Sequence, residues 1–144
     1  MDINDYDAAR KELVDRIKTE MTVNYANTLA RNFEKAKKLV RITTEGMIDV
    51  LNKEVLKGED RIILYLIGKL YAKEAQLAES ESASNEELMN ELGIKAGSLF
   101  PWTKNLRDSH RIKTETRNGT TFQRIALNVV ESELTRITDM LNKE

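Results

Sequence analysis

Apolar residues recur at intervals of three or four along most of the chain, a spacing that places them on one face of a helix. The first stripe predicts a helix over residues 3–21, which the polar, β-branched segment 22–24 ends. The segment from Glu59 to Tyr71 is the most apolar and predicts a helix at the centre of the core. A last stripe predicts a C-terminal helix: Val130, Leu134, Ile137 and Leu141.

A second stripe alternates steps of three and four residues, which is the heptad pattern of a coiled coil. It comprises Ala26, Leu29, Phe33, Ala36, Val40, Thr43, Met47 and Val50. The pattern predicts one long helix from about Tyr25 to Leu56, ended by Lys57-Gly58, with a seam narrow enough for close helix approach.

Two short helices joined by a glycine turn are predicted next. Ser84 is a good N-cap and Glu87 stands three residues later, so together they predict a capping box. Gly93 ends the first helix. Ser98 is then expected to cap a second helix over residues 98–108, with Pro101 in its first turn.

A β-hairpin is predicted directly after these helices. Arg111–Arg117 and Thr120–Asn128 are rich in Thr and Ile and flank Asn118-Gly119, the strongest short signal for a hairpin turn.

This order of elements resembles the winged helix-turn-helix family of DNA-binding proteins, which includes the MarR-, ArsR- and PadR-like transcriptional regulators. The resemblance runs from Glu59 to Asn128. It rests on Gly97-Ser98-Leu99-Phe100, Leu106-Arg107-Asp108, Ile112, Asn118-Gly119 and Ile125-Ala126-Leu127. Two residues depart from the family pattern. His110 replaces the usual Gly at the helix end, and Thr103 replaces the usual Leu. The first departure is tolerable if His110 adopts a left-handed or bridging conformation.

The predicted fold is therefore mainly α with a small β-hairpin wing, a winged helix-turn-helix with long N-terminal and C-terminal flanking helices. Residues 1–58 form a helical dimerisation region, residues 59–128 the winged domain and residues 129–144 the C-terminal helix. The flanking stripes need partners, and a homodimer would supply them. Its expected interface is Leu29, Phe33, Ala36, Val40, Met47, Val50, Leu134, Ile137 and Leu141. Alternatively the stripes pack on their own domain.

Charge favours nucleic-acid binding by the second helix and the wing. The chain carries a net charge of −1, but residues 93–124 contain seven Lys and Arg against two acidic residues, a net of +5. Basic clusters neutralise phosphates and supply most non-specific affinity for DNA. The expected DNA contacts are Lys95, Ser98, Pro101, Lys104, Asn105, Lys113, Arg117, Asn118, Thr120 and Arg124. Ordinary surface charge is an equally good explanation for Lys113 and for Arg124 taken singly.

Specific readout is expected from the second helix. Asn105 can pair with adenine, and Lys104 can reach guanine or a phosphate. An aromatic residue at helical spacing, such as Trp102, is more often part of the core. A partly exposed Phe100 can instead meet a thymine methyl group. His110 is a helix cap or phosphate contact rather than a metal ligand.

Composition excludes several function classes. No cysteine is present, so thiol catalysis and cysteine-ligated zinc are excluded, and a reducing cytoplasm is expected. No motif for a nucleophile, phosphate loop or metalloprotease appears, so neither an enzyme nor a cofactor is expected. No segment is apolar enough to span a membrane. No residue cluster indicates a small-molecule effector.

The sequence thus favours a dimeric transcriptional regulator that binds duplex DNA. Two alternatives stay open: a winged-helix module for protein–protein interaction in a larger assembly, and a non-specific architectural DNA binder, for which more Lys and Arg would be expected along the whole chain.

Overall fold

Helices and short strands alternate along residues 3–143, the part of the chain that the computed structural model describes. The helices are α1 (Ile3–Arg16), α2 (Tyr25–Arg31), α3 (Phe33–Ala36), α4 (Gly58–Glu74), α5 (Asn85–Leu92), α6 (Ala96–Asp108) and α7 (Val130–Asn142). The strands are β1 (Val40–Ile42), β2 (Ile48–Val50), β3 (Ala83–Ser84), β4 (Ile112–Arg117) and β5 (Thr120–Ile125). Residues 1, 2 and 144, which the predicted domain ranges include, lie outside this part. The protein is mainly α, with two small antiparallel sheets.

The helix α4 forms the centre of the core, as its composition predicted. Every residue from Ile62 to Gly68 is buried. Successive residues of a helix point in all directions around its axis, so α4 must be covered on every side. The hairpin of β1 and β2 covers part of it, and α2, α5, α6, α7 and β5 contact other parts.

The predicted long helix from Tyr25 to Leu56 is wrong. Asn24 caps α2 by accepting a hydrogen bond from the Asn27 N–H at 2.9 Å, but the helix ends at Arg31. After the single turn of α3, residues 40–50 form an antiparallel hairpin in which Val40 pairs with Val50. This segment is rich in β-branched residues, which favour strands, and Gly46 takes a φ of +85° in its turn.

The coiled-coil seam is wrong for the same reason. Most residues of the expected dimer interface are buried inside this chain: Leu29, Ala36, Val40, Val50, Leu134 and Ile137. Leu141 is half-buried against the same core, whereas Phe33 and Met47 are exposed. The buried and half-buried residues of this set therefore pack on their own domain, which was the alternative explanation of the stripes, and the homodimer itself stays a prediction.

The hairpin of β1 and β2 approaches α4 closely because Gly68 has no side chain. A Cβ atom at Gly68 would lie 2.5 Å from Ile48 Cγ2 and 2.8 Å from Val40 Cγ1. Both distances are shorter than carbon atoms tolerate, so the packing of this hairpin depends on glycine at this position.

A hydrogen bond also joins the N-terminal segment to α4. The Tyr71 hydroxyl donates to the Leu29 carbonyl at 2.8 Å, and burial raises the pKa of Tyr71 to about 12.

The polar segment 79–84 ends in the strand β3. Ala83 is fully buried and pairs with Gln123 of β5, so the second sheet has the order β3-β5-β4. The predicted hairpin turn is confirmed: Asn118 and Gly119 both have positive φ, which a two-residue type I′ turn requires.

We predict that Gly68→Ala destabilises the protein by about 1–3 kcal/mol, the usual cost of overpacking a core. Gly97→Ala is the matched control, because a Cβ at this helical glycine meets nothing within 4 Å. The control should be neutral or stabilise by up to about 1 kcal/mol through helix propensity. Urea unfolding measures both changes. Equal stability of the two variants would contradict the close packing at Gly68.

We also predict that the stabilising effect of the Tyr71 hydroxyl disappears at high pH. The folded-state pKa lies above the ordinary value of 10, so unfolding is favoured as pH rises from about 10 towards about 12. The stability difference between wild type and Tyr71→Phe should be largest below pH 10 and shrink above it. A difference that stays constant through this range in urea titrations would show that the hydroxyl is not buried.

Candidate nucleic-acid interface

The first helix of the pair, α5, is capped by Ser84 and is fixed to α4 by Glu87. Ser84 Oγ accepts a hydrogen bond from the Glu87 N–H at 3.0 Å, as predicted. The Glu87 carboxylate does not complete a capping box. It accepts from the Tyr65 hydroxyl at 2.6 Å and lies 3.3 Å from Lys69 Nζ. Burial raises the pKa of Tyr65, and the hydrogen bond to Glu87 raises it further.

The second helix, α6, begins two residues earlier than predicted. Gly93 ends α5 with a φ of +65°, and Lys95 is the N-cap of α6. Ser98 therefore lies in the first turn, and the prediction that it caps the helix is wrong. Pro101 lies inside the helix rather than in its first turn. Because proline has no backbone N–H, the Gly97 carbonyl lacks the hydrogen bond that residue 101 would otherwise donate.

The inner face of α6 follows helical spacing: Leu99, Thr103 and Leu106 are buried. The Thr103 hydroxyl donates to the Phe100 carbonyl at 3.2 Å, which satisfies the polar group that replaces the expected leucine. Trp102 packs against the core over Gly58, where an added Cβ would lie 2.1 Å from the indole ring.

The outer face of α6 combines an aromatic residue with cations. We call its exposed residues the α6 face: Gly97, Phe100, Pro101, Lys104, Arg107 and Asp108. Phe100 is 55% exposed. Lys104 Nζ lies 2.7 Å from Asp108 Oδ2, a contact that lowers the pKa of Asp108. Arg107 was not among the expected contacts, although it follows Phe100 by seven residues, a spacing that keeps two helical residues on one face.

Asn105 lies at the side of this face. Its amide donates to Glu59 Oε1 at 3.2 Å, so the group expected to read adenine is hydrogen-bonded to the first turn of α4.

The hairpin of β4 and β5 presents a second basic group. Lys113 pairs with Arg124 and Arg117 with Thr120 across the strands, so these four side chains share one face. Lys113, Arg117, Thr120 and the turn residue Asn118 are exposed.

Two of these cations have acidic or aromatic partners. Arg117 lies 4.3 Å from the Phe122 ring centre and 3.6 Å from Glu115. Arg124 is partly buried, 3.9 Å from Glu81. Lys113 and Arg117 are therefore the more accessible cations of the hairpin.

The connection from α6 to β4 is fixed by a helix-ending motif. His110 has a φ of +61°, which confirms that this residue takes the left-handed conformation usually given to glycine. The His110 N–H donates to the Arg107 carbonyl at 3.0 Å, and the Arg111 N–H donates to the Leu106 carbonyl at 2.9 Å. These two bonds form a Schellman motif.

An ion-pair network then fixes this connection to the rest of the domain. It comprises Glu59, Asp60, Arg111, Glu133 and Arg136. Arg111 lies 3.1 Å from Glu59 and 3.5 Å from Glu133, and Arg136 lies 2.7 Å from Asp60 and 2.6 Å from Glu133. The side chains of Asp60 and Glu133 are 4% and 8% exposed. The network therefore holds α4, α7 and the start of β4 in fixed relation.

The structure thus gathers the expected contacts into two groups. The first group lies on α6 or at its start and comprises Lys95, Ser98, Pro101, Lys104 and Asn105, of which Asn105 is turned towards α4. The second group lies on the hairpin and comprises Lys113, Arg117, Asn118, Thr120 and Arg124. Within the part of the chain that the structure describes, no group of three or more His, Cys, Asp or Glu side chains is arranged to hold a metal ion. In the same part, every helix is too short or too polar to cross a membrane. Comparisons with family models, curated proteins and solved structures each found no match.

We predict that Arg136→Met destabilises the domain by about 1–3 kcal/mol, because it leaves the buried Asp60 carboxylate without its donor and leaves Glu133 only its longer contact with Arg111. Lys104→Met, which breaks an exposed ion pair, should change stability by less than about 1 kcal/mol. Thermal unfolding of both variants measures the contrast. Similar melting temperatures would show that the network does not stabilise the domain.

Proposed function

We propose that the protein is a winged helix-turn-helix DNA-binding protein that acts as a dimeric transcriptional regulator. The observation that carries this proposal is the α6 face, where an exposed aromatic ring lies among Lys104 and Arg107 on a helix that precedes a basic hairpin. The sequence resemblance supports the same function.

The order of elements supports the assignment of the fold. A buried helix, α4, is followed by the short strand β3, the helix pair α5–α6 and the hairpin β4–β5, and β3 adds to that hairpin as a third strand. In this arrangement α6 is the recognition helix and the hairpin is the wing.

Phosphate contacts would position the protein on the duplex. Lys95 at the start of α6, and Lys113 and Arg117 on the hairpin, are exposed cations suited to this role. Ser98 and the first N–H groups of α6 suit a phosphate at the helix N-terminus.

Base contacts would come from the middle of α6. Phe100 suits a thymine methyl group, and Lys104 suits guanine or a phosphate. Lys104 would exchange its exposed contact with Asp108 for DNA at small cost, because exposed ion pairs contribute little. A dimer would place two such helices about one turn of DNA apart, on a palindromic site.

One observation favours a second function. Phe100 is 55% exposed, and an exposed aromatic residue on a helix is also typical of a protein-binding surface. The second candidate is therefore a protein-interaction module that uses the α6 face.

We predict that Lys104→Ala, Arg107→Ala and Arg117→Ala each weaken binding to duplex DNA and reduce the salt slope of the affinity by about one. The measurement is fluorescence anisotropy over a salt series, on sequences enriched by the wild-type protein from genomic fragments. Lys73→Ala is the control. Lys73 is exposed in the last turn of α4, whereas the opposite end of α4, its first turn, is the part that lies beside α6 and Arg111.

The outcomes separate the candidates. The proposal is supported if wild type enriches a palindromic sequence and if only the three variants, and not Lys73→Ala, reduce the salt slope of the affinity. Binding without enrichment indicates an architectural DNA binder. No binding by wild type at low salt excludes both and leaves the interaction module.

A further inference from the structure

One carboxylate group joins the helix α6 to the start of the hairpin. Glu59 lies in the first turn of α4, and its side chain is 26% exposed. Glu59 Oε1 accepts a hydrogen bond from the Asn105 amide nitrogen at 3.2 Å, and Glu59 Oε2 accepts one from Arg111 Nη2 at 3.1 Å. Each oxygen of Glu59 therefore holds one of the two elements that contact DNA in the proposed function.

Arg111 is held in place independently of Asn105. Its Nε donates to Ser109 Oγ at 3.2 Å, and its Nη1 donates to Glu133 Oε2 at 3.5 Å. A guanidinium group is planar and carries only donors, so these partners determine where the Nη2 group points. The atom of residue 59 that faces Arg111 must therefore be an acceptor.

The carboxylate determines which way round the Asn105 amide lies. An ionised carboxylate only accepts hydrogen bonds, whereas an asparagine amide has an NH2 group at one end and an oxygen at the other. The NH2 group must face Glu59, because the reverse orientation would bring two acceptors together. Asn105 is exposed, and among residues 3–143 its side chain makes no other hydrogen bond. Its Oδ1 and its second N–H are therefore left for a ligand.

We propose that Glu59 is a positioning residue that sets the base preference of Asn105. This inference rests on the proposed function, because it concerns how α6 reads duplex DNA. With its amide held by Glu59, Asn105 presents Oδ1 as an acceptor for the exocyclic amino group of a base in the major groove. The second N–H can donate to N7 of the same base, and adenine is the base that offers both groups.

The same contacts predict the effect of the isosteric substitution Glu59→Gln. This substitution keeps the shape of the side chain and replaces one carboxylate oxygen with an NH2 group. Because Arg111 requires an acceptor, the remaining oxygen stays with Arg111 and the new NH2 group faces Asn105. The Asn105 amide must then turn over and present its own NH2 group to DNA. A donor in this position suits the keto oxygen of guanine or thymine instead of an amino group.

The test measures base preference at the position that Asn105 reads. This is the position of the enriched site at which Asn105→Ala loses discrimination between bases. Fluorescence anisotropy gives the affinity for duplexes that carry each base there. Wild type should prefer adenine to guanine by about fivefold or more, the discrimination that one base contact supplies. Glu59→Gln should shift this ratio towards guanine by about the same factor or more, and Glu59→Ala, which frees the amide to turn, should remove the preference.

A purely structural role of Glu59 would give a different result. Loss of the contact with Arg111 would weaken binding to all the duplexes together and leave the preferred base unchanged. In the Asn105→Ala background, Glu59→Gln should leave the relative affinities of the duplexes unchanged, because no amide remains to turn over. Circular dichroism of each variant checks that the domain is folded.

A measurement on the free wild-type protein needs neither DNA nor a folded variant. By nuclear magnetic resonance, one of the two side-chain N–H protons of Asn105 should exchange with solvent more slowly than the other, because it is bonded to Glu59. Equal exchange of the two protons would overturn the positioning role directly.

The DNA experiments separate this proposal from the proposed function. If wild type enriches a site but Glu59→Gln selects the same base as wild type, the proposed function stands and the role of Glu59 is overturned. The same holds if Asn105→Ala loses discrimination at no position. If wild type binds no duplex at low salt, the proposed function fails, and the base preference assigned to Asn105 fails with it.

Discussion

The need to cover α4 on all sides determines the rest of the structure. A helix with seven consecutive buried residues, Ile62–Gly68, cannot be covered by the helix pair and the basic hairpin alone. The β1–β2 hairpin and α7 therefore pack on it as well. Residues 25–56 share a core with residues 59–128, so the predicted boundary at residue 58 separates elements that depend on one another for burial. Of the predicted dimerisation region, α1 with the π-helical turn Ile17–Met21 that extends it is the helix whose described side chains are all exposed.

Local signals predicted elements well, whereas a coincidence of spacings misled the prediction of residues 25–56. Ser84, Gly93 and Asn118-Gly119 act through their own backbone geometry, so each can be recognised without knowing the fold. Residues such as Val40 and Val50 fit a heptad, but a strand that alternates inward and outward side chains also buries them. What decides between the two is contact with α4 at Gly68, and contacts distant in sequence cannot be read from spacing.

The candidate site was predicted in part for a similar reason. Exposure of Lys104 and burial of Leu99, Thr103 and Leu106 follow from helical periodicity. The hydrogen bond from Asn105 to Glu59 joins residues 46 positions apart and has no local signal. The same holds for the network around Arg111 and Arg136, which connects three elements. This network and the left-handed His110 fix where the hairpin begins relative to α6, so the two basic groups form one rigid unit rather than two independent surfaces.

Pro101 interrupts the backbone hydrogen bonds of α6. Backbone carbonyls inside a helix are occupied by N–H groups one turn later, but at Gly97 that N–H is missing, because proline has none. The proline ring also crowds the Gly97 carbonyl, and a proline at such a position bends or weakens a helix. The first turn of α6 is therefore held less firmly by its own backbone than the turns after Pro101, and its position depends more on the packing of the buried Leu99 against the core.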